Sequence, residues 1–123
     1  MASVLVVDDD AHIVRVLSIW LQRHGHDVVA ARTGLEALSV FDTDTVDVMI
    51  TDANMPGLDG EGLVRAVRND LGLDIPILML TARCDQDRLS KMVAACDVDI
   101  FPKPFLPSQL VSEIDRVLRL TTG

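Results

Sequence analysis

The sequence predicts an α/β fold, a parallel five-stranded sheet with helices on both faces, on three observations. Strand and helix signals alternate from one end to the other. The strand segments are near-continuous apolar runs, as in strands buried on both faces of a parallel sheet. Two of these runs stop abruptly in charge: Val4-Leu5-Val6-Val7 meets Asp8-Asp9-Asp10, and Val46–Thr51 meets Asp52.

Each element has its own signal. Ser3–Val7 is the first strand. Asp10 stands where a helix N-cap belongs, and Ile13, Leu17, Trp20 and Leu21 share one face of the helix that follows. Gly25 closes that helix. Asp27–Ala31 is a short strand, and Thr33 caps a second helix carrying Leu35, Leu38 and Phe41. Val46–Thr51 is the third strand, followed by the turn-rich segment Met55-Pro56-Gly57-Leu58-Asp59-Gly60. Leu63, Val67 and Leu71 mark a third helix. Ile75–Leu80 is the fourth strand, with Pro76 near its start. Leu89, Met92, Val93 and Cys96 recur at helical spacing, Asp99–Phe101 is the last strand, and Ser108 and Gln109 open a last helix bearing Leu110, Ile114, Val117 and Leu118, with Pro107 near its start.

Five strands and five helices in strict alternation, joined by right-handed crossovers, give a doubly wound three-layer sandwich. The expected form is flavodoxin-like, (βα)5, with strand order 2-1-3-4-5. That order puts the first and third strands side by side, and ligands of such sheets bind beyond the carboxyl ends of the strands. Asp8, Asp9 and Asp52 therefore share one crevice.

At 123 residues, 49% apolar and 24% charged, the chain reads as a single domain over 1–123. A net charge of −8 argues against a surface that holds nucleic acid or anionic lipid. Cys84 and Cys96 make no disulfide scaffold and have no metal-ligand spacing, which suits a reducing, cytoplasmic setting. No apolar run reaches the ~18–20 residues of a membrane span.

Three close carboxylates repel one another and need a cation or a proton to coexist. Mg2+ suits them, since it takes one or two carboxylates, keeps waters and adds a phosphate oxygen. A carboxylate is also a competent nucleophile toward phosphorus. Lys103, just past the last strand, supplies positive charge, and Thr81, at the end of the fourth, supplies a hydroxyl on the same sheet edge.

The segments Val4-Leu5-Val6-Val7-Asp8-Asp9-Asp10, Asp52-Ala53-Asn54-Met55-Pro56-Gly57-Leu58-Asp59-Gly60, Leu80-Thr81-Ala82 and Lys103-Pro104-Phe105 resemble, in order and spacing, the receiver domain of bacterial response regulators. The resemblance covers the whole chain. It implies that Asp52 is the phosphoacceptor and that Asp8, Asp9, Asp52 and the backbone carbonyl of Asn54 hold Mg2+. It implies that Lys103 pairs with phosphoryl oxygens, that Thr81 hydrogen-bonds the phosphoryl group, and that the Lys103–Pro104 bond is cis. The implied partners are a sensor histidine kinase or a histidine phosphotransfer protein upstream, and a downstream protein or output domain. A phosphorylation-dependent dimer through the fourth helix, last strand and last helix belongs to the same set. Turnover as an enzyme does not, beyond promoting its own phosphotransfer and dephosphorylation.

Two positions depart from the family pattern. Ile100 stands where the family usually has Tyr or Phe, and Phe101, the next residue on the strand, points to the opposite face. Cys96 stands where a Gly is common. Arg83 and Asn54 flank the site, where residues could tune water access to the phosphoryl group. The His24-Gly25-His26 run reads as a helix C-terminus favouring His rather than as a metal site. Asp10 reads as a cap, Asp59 as serving the loop or capping the third helix rather than holding metal, and Trp20 as a core residue. A phosphohydrolase with an aspartyl-phosphate intermediate would need a general acid at position 54, which Asn54 cannot be. A phosphorylation-independent interaction module on the same fold is kept open by Ile100.

Overall fold

The computed structural model describes residues 2–53, 55, 57–81, 91 and 98–122. In chain order these form β1 (Ser3–Val7), α1 (Ala11–Arg23), β2 (Asp27–Ala31), α2 (Gly34–Thr43), β3 (Val48–Asp52), α3 (Gly60–Arg65), β4 (Ile77–Thr81), β5 (Asp99–Pro102) and a C-terminal helix (Pro107–Thr122). The sheet is five-stranded and all pairs are parallel, in the order β2-β1-β3-β4-β5. The expected fold class and strand order are both found. The helix expected at Leu89–Cys96 lies outside the described residues, as do Arg83, Cys84, Cys96 and Asn54.

Alternation along the strands divides the interior into two cores. Val4, Val6, Val48, Ile50, Leu78 and Leu80 face α1 and the C-terminal helix, meeting Leu17, Leu21, Leu110 and Ile114. Leu5, Val7, Met49, Ile77 and Met79 face α2 and α3, meeting Ala37, Leu63, Val64 and Val67. Both faces of β3 and β4 are buried along their whole length, which is why those runs are apolar without a break.

The helix caps fall where the sequence puts them. Asp10 accepts from His12 N–H, Thr33 from Glu36 N–H and Asp59 from Gly62 N–H. Gly25 follows the α1 C-cap with φ 84°, a left-handed conformation that glycine adopts without strain. Thr33→Ala is expected to cost about 1 kcal/mol of stability by leaving an α2 amide unmet, checked as a lowered urea midpoint.

Some expectations are corrected. Leu35 is 69% exposed, because the buried stripe of α2 begins at Gly34 and continues through Ala37 and Leu38. Gly34 opens that stripe against Leu58, where a side chain would not fit, so hydrophobicity alone points one residue too far. Leu71 is 41% exposed rather than on the third helix's apolar face. Beyond α3 the chain widens into a π-helical turn over Ala66–Asp70, where Leu71 N–H donates to Ala66 at 3.0 Å, and the phase of the stripe slips. β3 begins at Val48 rather than Val46. β4 begins at Ile77 rather than Ile75, since the guanidinium of Arg68 takes the carbonyls of Leu73 (2.8 Å) and Ile75 (2.7 Å). Trp20 is half-buried at the rim of its core and stacks on His24, with ring centroids 6.4 Å apart.

The His24 and His26 rings part company. His24 Nδ1 lies 2.8 Å from the Trp20 carbonyl, and His26 Nε2 lies 2.9 Å from Asp115 on the C-terminal helix. Among the described residues no helix is long and apolar enough to cross a membrane.

Candidate functional site

Register brings four strand ends to one edge. Val7 pairs with Thr51, Asp52 with Leu80, and Thr81 with Pro102. Asp8 follows the last residue of β1, Asp52 is the last of β3, Thr81 the last of β4, and Lys103 the first past β5. Lys103 N–H donates to the Thr81 carbonyl at 2.8 Å, which carries the β4–β5 ladder one rung onward and sets the root of the lysine beside Thr81. The Lys103–Pro104 peptide is cis, as the resemblance implies.

Lys103 Nζ lies 3.1 Å from Asp52 Oδ1 and 3.7 Å from Asp8 Oδ2. One carboxylate oxygen each of Asp8, Asp9 and Asp52 falls within 4.8 Å of the others. Asp8, Asp52 and Thr81 are buried and Asp9 is exposed. The crevice is therefore walled by two buried acids, with a third at its mouth. At such separations, two like charges repel by roughly 3–4 kcal/mol at the effective dielectric of a protein surface. The Lys103 ammonium offsets only part of that among the described residues.

Asp8 is held in place from below. Its Oδ1 accepts from Asp10 N–H at 2.9 Å, and its own N–H donates to Ala31 at 3.1 Å. Its Oδ2 is buried and has no hydrogen-bond partner. Burial raises the Asp8 carboxyl above the ordinary 3.8, with the Asp52 and Asp9 charges adding to it. The Asp10 N–H bond and Lys103 act the other way without cancelling the rise. A buried carboxylate oxygen without a hydrogen-bond partner, 3.7 Å from the Lys103 ammonium and on a residue clustered with two further carboxylates, fits a hard divalent cation taking oxygen ligands. The donor set present is therefore the one Mg2+ would use.

The structure thus brings together Asp8, Asp9, Asp52, Thr81 and Lys103, all named from sequence. It also adds two residues that motif reading did not single out. Arg32, just past β2, donates from Nη2 to the Asp9 carbonyl at 3.1 Å and steadies the Asp8–Asp9 turn. Gly60 packs its bare Cα onto the main chain of Asp52. The position of Arg32 beyond the second strand could have suggested the first. Only coordinates show the second.

Ile100 and Phe101 point to opposite faces. Ile100 is partly buried against the α2–α3 core, and Phe101 packs in the other core, edge-on to Phe105 at 6.1 Å. Phe101 therefore does not replace an aromatic at position 100.

Lys103→Met is expected to lower metal-free stability by about 2 kcal/mol. It strips the cation from two buried acids, and the lysine's partial exposure holds the loss below that of a fully buried pair. The urea midpoint checks this. An unchanged midpoint would mean that the lysine contributes nothing to holding the acids together.

Comparison with known proteins places these features. A family model described as "Response regulator receiver domain" matches residues 4–115. The chain is 44% identical over 120 residues to "Probable transcriptional regulator ycf27" of Guillardia theta, covering 97% of this chain and 46% of that protein. It is 40% identical over 122 residues to "Response regulator MprA" of Mycolicibacterium vanbaalenii, covering 97% of this chain and 51% of that protein. The chain thus spans about half the length of the curated relatives it matches. Among solved structures, the chemotaxis protein CheY4 of Vibrio cholerae superposes with a TM-score of 0.87 at 37% identity, over 95% of this chain and 98% of that one. Response regulator protein TrrA of Thermotoga maritima, in complex with Mg(2+)-BeF, gives 0.81 at 31% identity, over 95% and 99%.

Proposed function

The chain belongs to the response regulator receiver domains, and from that membership we propose that residues 1–123 are a single receiver domain switched by phosphorylation of Asp52. The observation that carries this reading is the crevice itself. A buried carboxylate at the end of β3 lies 3.1 Å from an ammonium and beside two further acids. That is a nucleophile, a cation seat and a charge clamp within one small space.

Asp52 is the nucleophile. One of its carboxylate oxygens forms the new O–P bond as the bond from phosphorus to the donor's imidazole nitrogen breaks, and that electron pair stays with the imidazole. The donor is a sensor histidine kinase or a histidine phosphotransfer protein. Lys103, already against Asp52, pairs with the phosphoryl oxygens, and Thr81, at the next strand end, donates its hydroxyl to them. Asp8, Asp9, Asp52 and the backbone carbonyl of Asn54 would hold Mg2+. When bound, that ion supplies positive charge against the phosphoryl oxygens, the main need of phosphoryl transfer. The similar TrrA structure in complex with Mg(2+)-BeF supports that choice of ion.

Phosphorylation then biases an equilibrium between two packings of the region around Thr81, β5 and the C-terminal helix, by as much as the phosphoryl group's contacts differ between them. Downstream, the partner is a protein or an output domain, or a second copy meeting this surface. The two relatives twice as long as this chain, named as regulators, support an output in a longer protein. The −8 charge of this domain argues against direct contact with nucleic acid. No turnover of an external substrate is proposed beyond self-catalysed phosphotransfer and dephosphorylation, and the proposed setting is the cytoplasm.

A second reading rests on Ile100. A stiff β-branched side chain packed against the α2–α3 core offers neither hydroxyl nor ring to relay the state of Thr81. A receiver fold that binds its partner irrespective of phosphorylation would carry such a residue.

The test is intact-mass measurement after incubation with acetyl phosphate and Mg2+. A single phosphoryl adduct, lost on chelation, is the expected result. A folded chain without an adduct would remove small-donor phosphorylation. Equal partner affinity with and without the adduct would favour the second reading.

A further inference from the structure

Gly60 opens α3 and is buried. A methyl group on its Cα would stand 2.3 Å from the Asp52 carbonyl oxygen, 2.8 Å from Ala53 Cα and 3.1 Å from the Asp52 carbonyl carbon. All three are main-chain atoms, so no flexible side chain can swing aside. The Gly60 N–H also donates to the Ala53 carbonyl at 3.1 Å, while the Ala53 N–H donates to Leu80 at 2.9 Å. The Asp59 carboxylate fixes the same helical turn by accepting from Gly62 N–H at 2.8 Å. The end of β3 is therefore gripped on one side by β4 and on the other by the first turn of α3. Two other glycines are also close-packed, less tightly and against Leu58 instead. A methyl at Gly34 would lie 2.6 Å from the Leu58 carbonyl oxygen, and one at Gly62 would lie 2.7 Å from Leu58 Cδ1.

We propose that Gly60 is a positioning residue of the phosphoacceptor site, its bare Cα setting the main chain of Asp52 and Ala53 and so the placement of the Asp52 carboxylate. The inference rests on the reading of Asp52 as phosphoacceptor in an Mg2+ crevice, and it deepens that reading. A side chain at position 60 must push the Asp52 peptide away by roughly 1 Å, a misplacement that is costly for aligned reacting groups. β4 holds the other side of that peptide, so the displacement goes into the strand end rather than into free space. Mg2+ demands near-ideal octahedral placement of its oxygens and tolerates such a shift poorly.

The experiment compares the full chain carrying Gly60→Ala, Gly34→Ala or Gly62→Ala with the native chain. It reads the Mg2+ concentration that half-saturates the rise in melting temperature, with no phosphodonor present. Each variant's own metal-free melting temperature is its reference, so loss of fold stability is separated from loss of metal affinity. Gly60→Ala is expected to weaken the Mg2+ midpoint by about 10- to 100-fold, the scale seen when groups supporting metal ligands are removed. Gly34→Ala and Gly62→Ala are expected to keep the native midpoint whatever stability they lose. A native midpoint in Gly60→Ala, or an equal loss in Gly34→Ala, overturns the inference alone. A native chain whose melting temperature ignores Mg2+ overturns the reading of the site beneath it.

Where Gly60→Ala does not fold, amide exchange in the native chain decides. Mg2+ is expected to slow exchange at Gly60, bonded to Ala53, more than at Gly62, bonded to Asp59. Equal slowing at both overturns the inference.

Discussion

Asp52→Asn is expected to take up no phosphoryl group from acetyl phosphate and Mg2+ under conditions that give the native chain one. The amide matches the carboxylate in shape, so the buried site keeps its packing. It has lost the charge that makes the oxygen a nucleophile toward phosphorus. The variant should also be more stable than the native chain without metal, because the Asp52 charge is one of those that raise the Asp8 carboxyl. Intact mass reads the first effect and a metal-free urea midpoint the second. Adduct persisting in the variant would move the nucleophile elsewhere, with the Asp8 and Asp9 carboxylates of the same cluster the alternatives.

Asp8→Asn should separate metal binding from stability. Removing a carboxylate from the cation seat is expected to weaken Mg2+ by about 100-fold, at the upper end of what even supporting groups contribute. Without metal the same change is expected to stabilise the fold by about 1–2 kcal/mol, since a buried, incompletely bonded charged group is replaced by a neutral one. The pH dependence follows from the raised Asp8 carboxyl. The folded chain keeps this proton at pH values where the unfolded chain, with its ordinary 3.8, has lost it. The stability that Asp8 contributes is full below 3.8 and is lost as pH rises through the higher folded-state value. Metal-free stability should therefore carry a component that falls over that window, absent in Asp8→Asn. Urea midpoints across the window check the slope, and Mg2+ titration of the melting temperature checks the affinity. A native slope in the variant would show that Asp8 is not its source.

Most of the scaffold was legible because burial on both faces writes itself as unbroken apolar runs. Val4–Val7 and Ile77–Leu80 cannot be anything but interior once their lengths are noted. The five residues of the candidate site were legible for a related reason. Asp8, Asp9, Asp52 and Thr81 stand at or just past the point where such a run stops, Lys103 follows the short last strand, and parallel strands stop together. What escaped the reading was set by contact rather than by composition. The exposure of Leu35 follows from Gly34 and Ala37 lying against neighbours, and small residues leave no hydrophobic mark. The slip at Leu71 comes from a widened turn that no residue type announces. Arg32 reaches Asp9 from a neighbouring strand end, and Gly60 meets Asp52 across a loop. Both depend on how far apart two backbones come to rest.

The order β2-β1-β3-β4-β5 leaves β5 on a margin of the sheet, four residues long and ended by Pro102. A proline there has no N–H to offer an incoming strand, and a margin so short provides few rungs for one to climb. Extension of the sheet from molecule to molecule, the first step toward fibrous aggregation, is thereby discouraged on that flank. A contact made beside β5 would then rest on side chains rather than on a shared main-chain ladder.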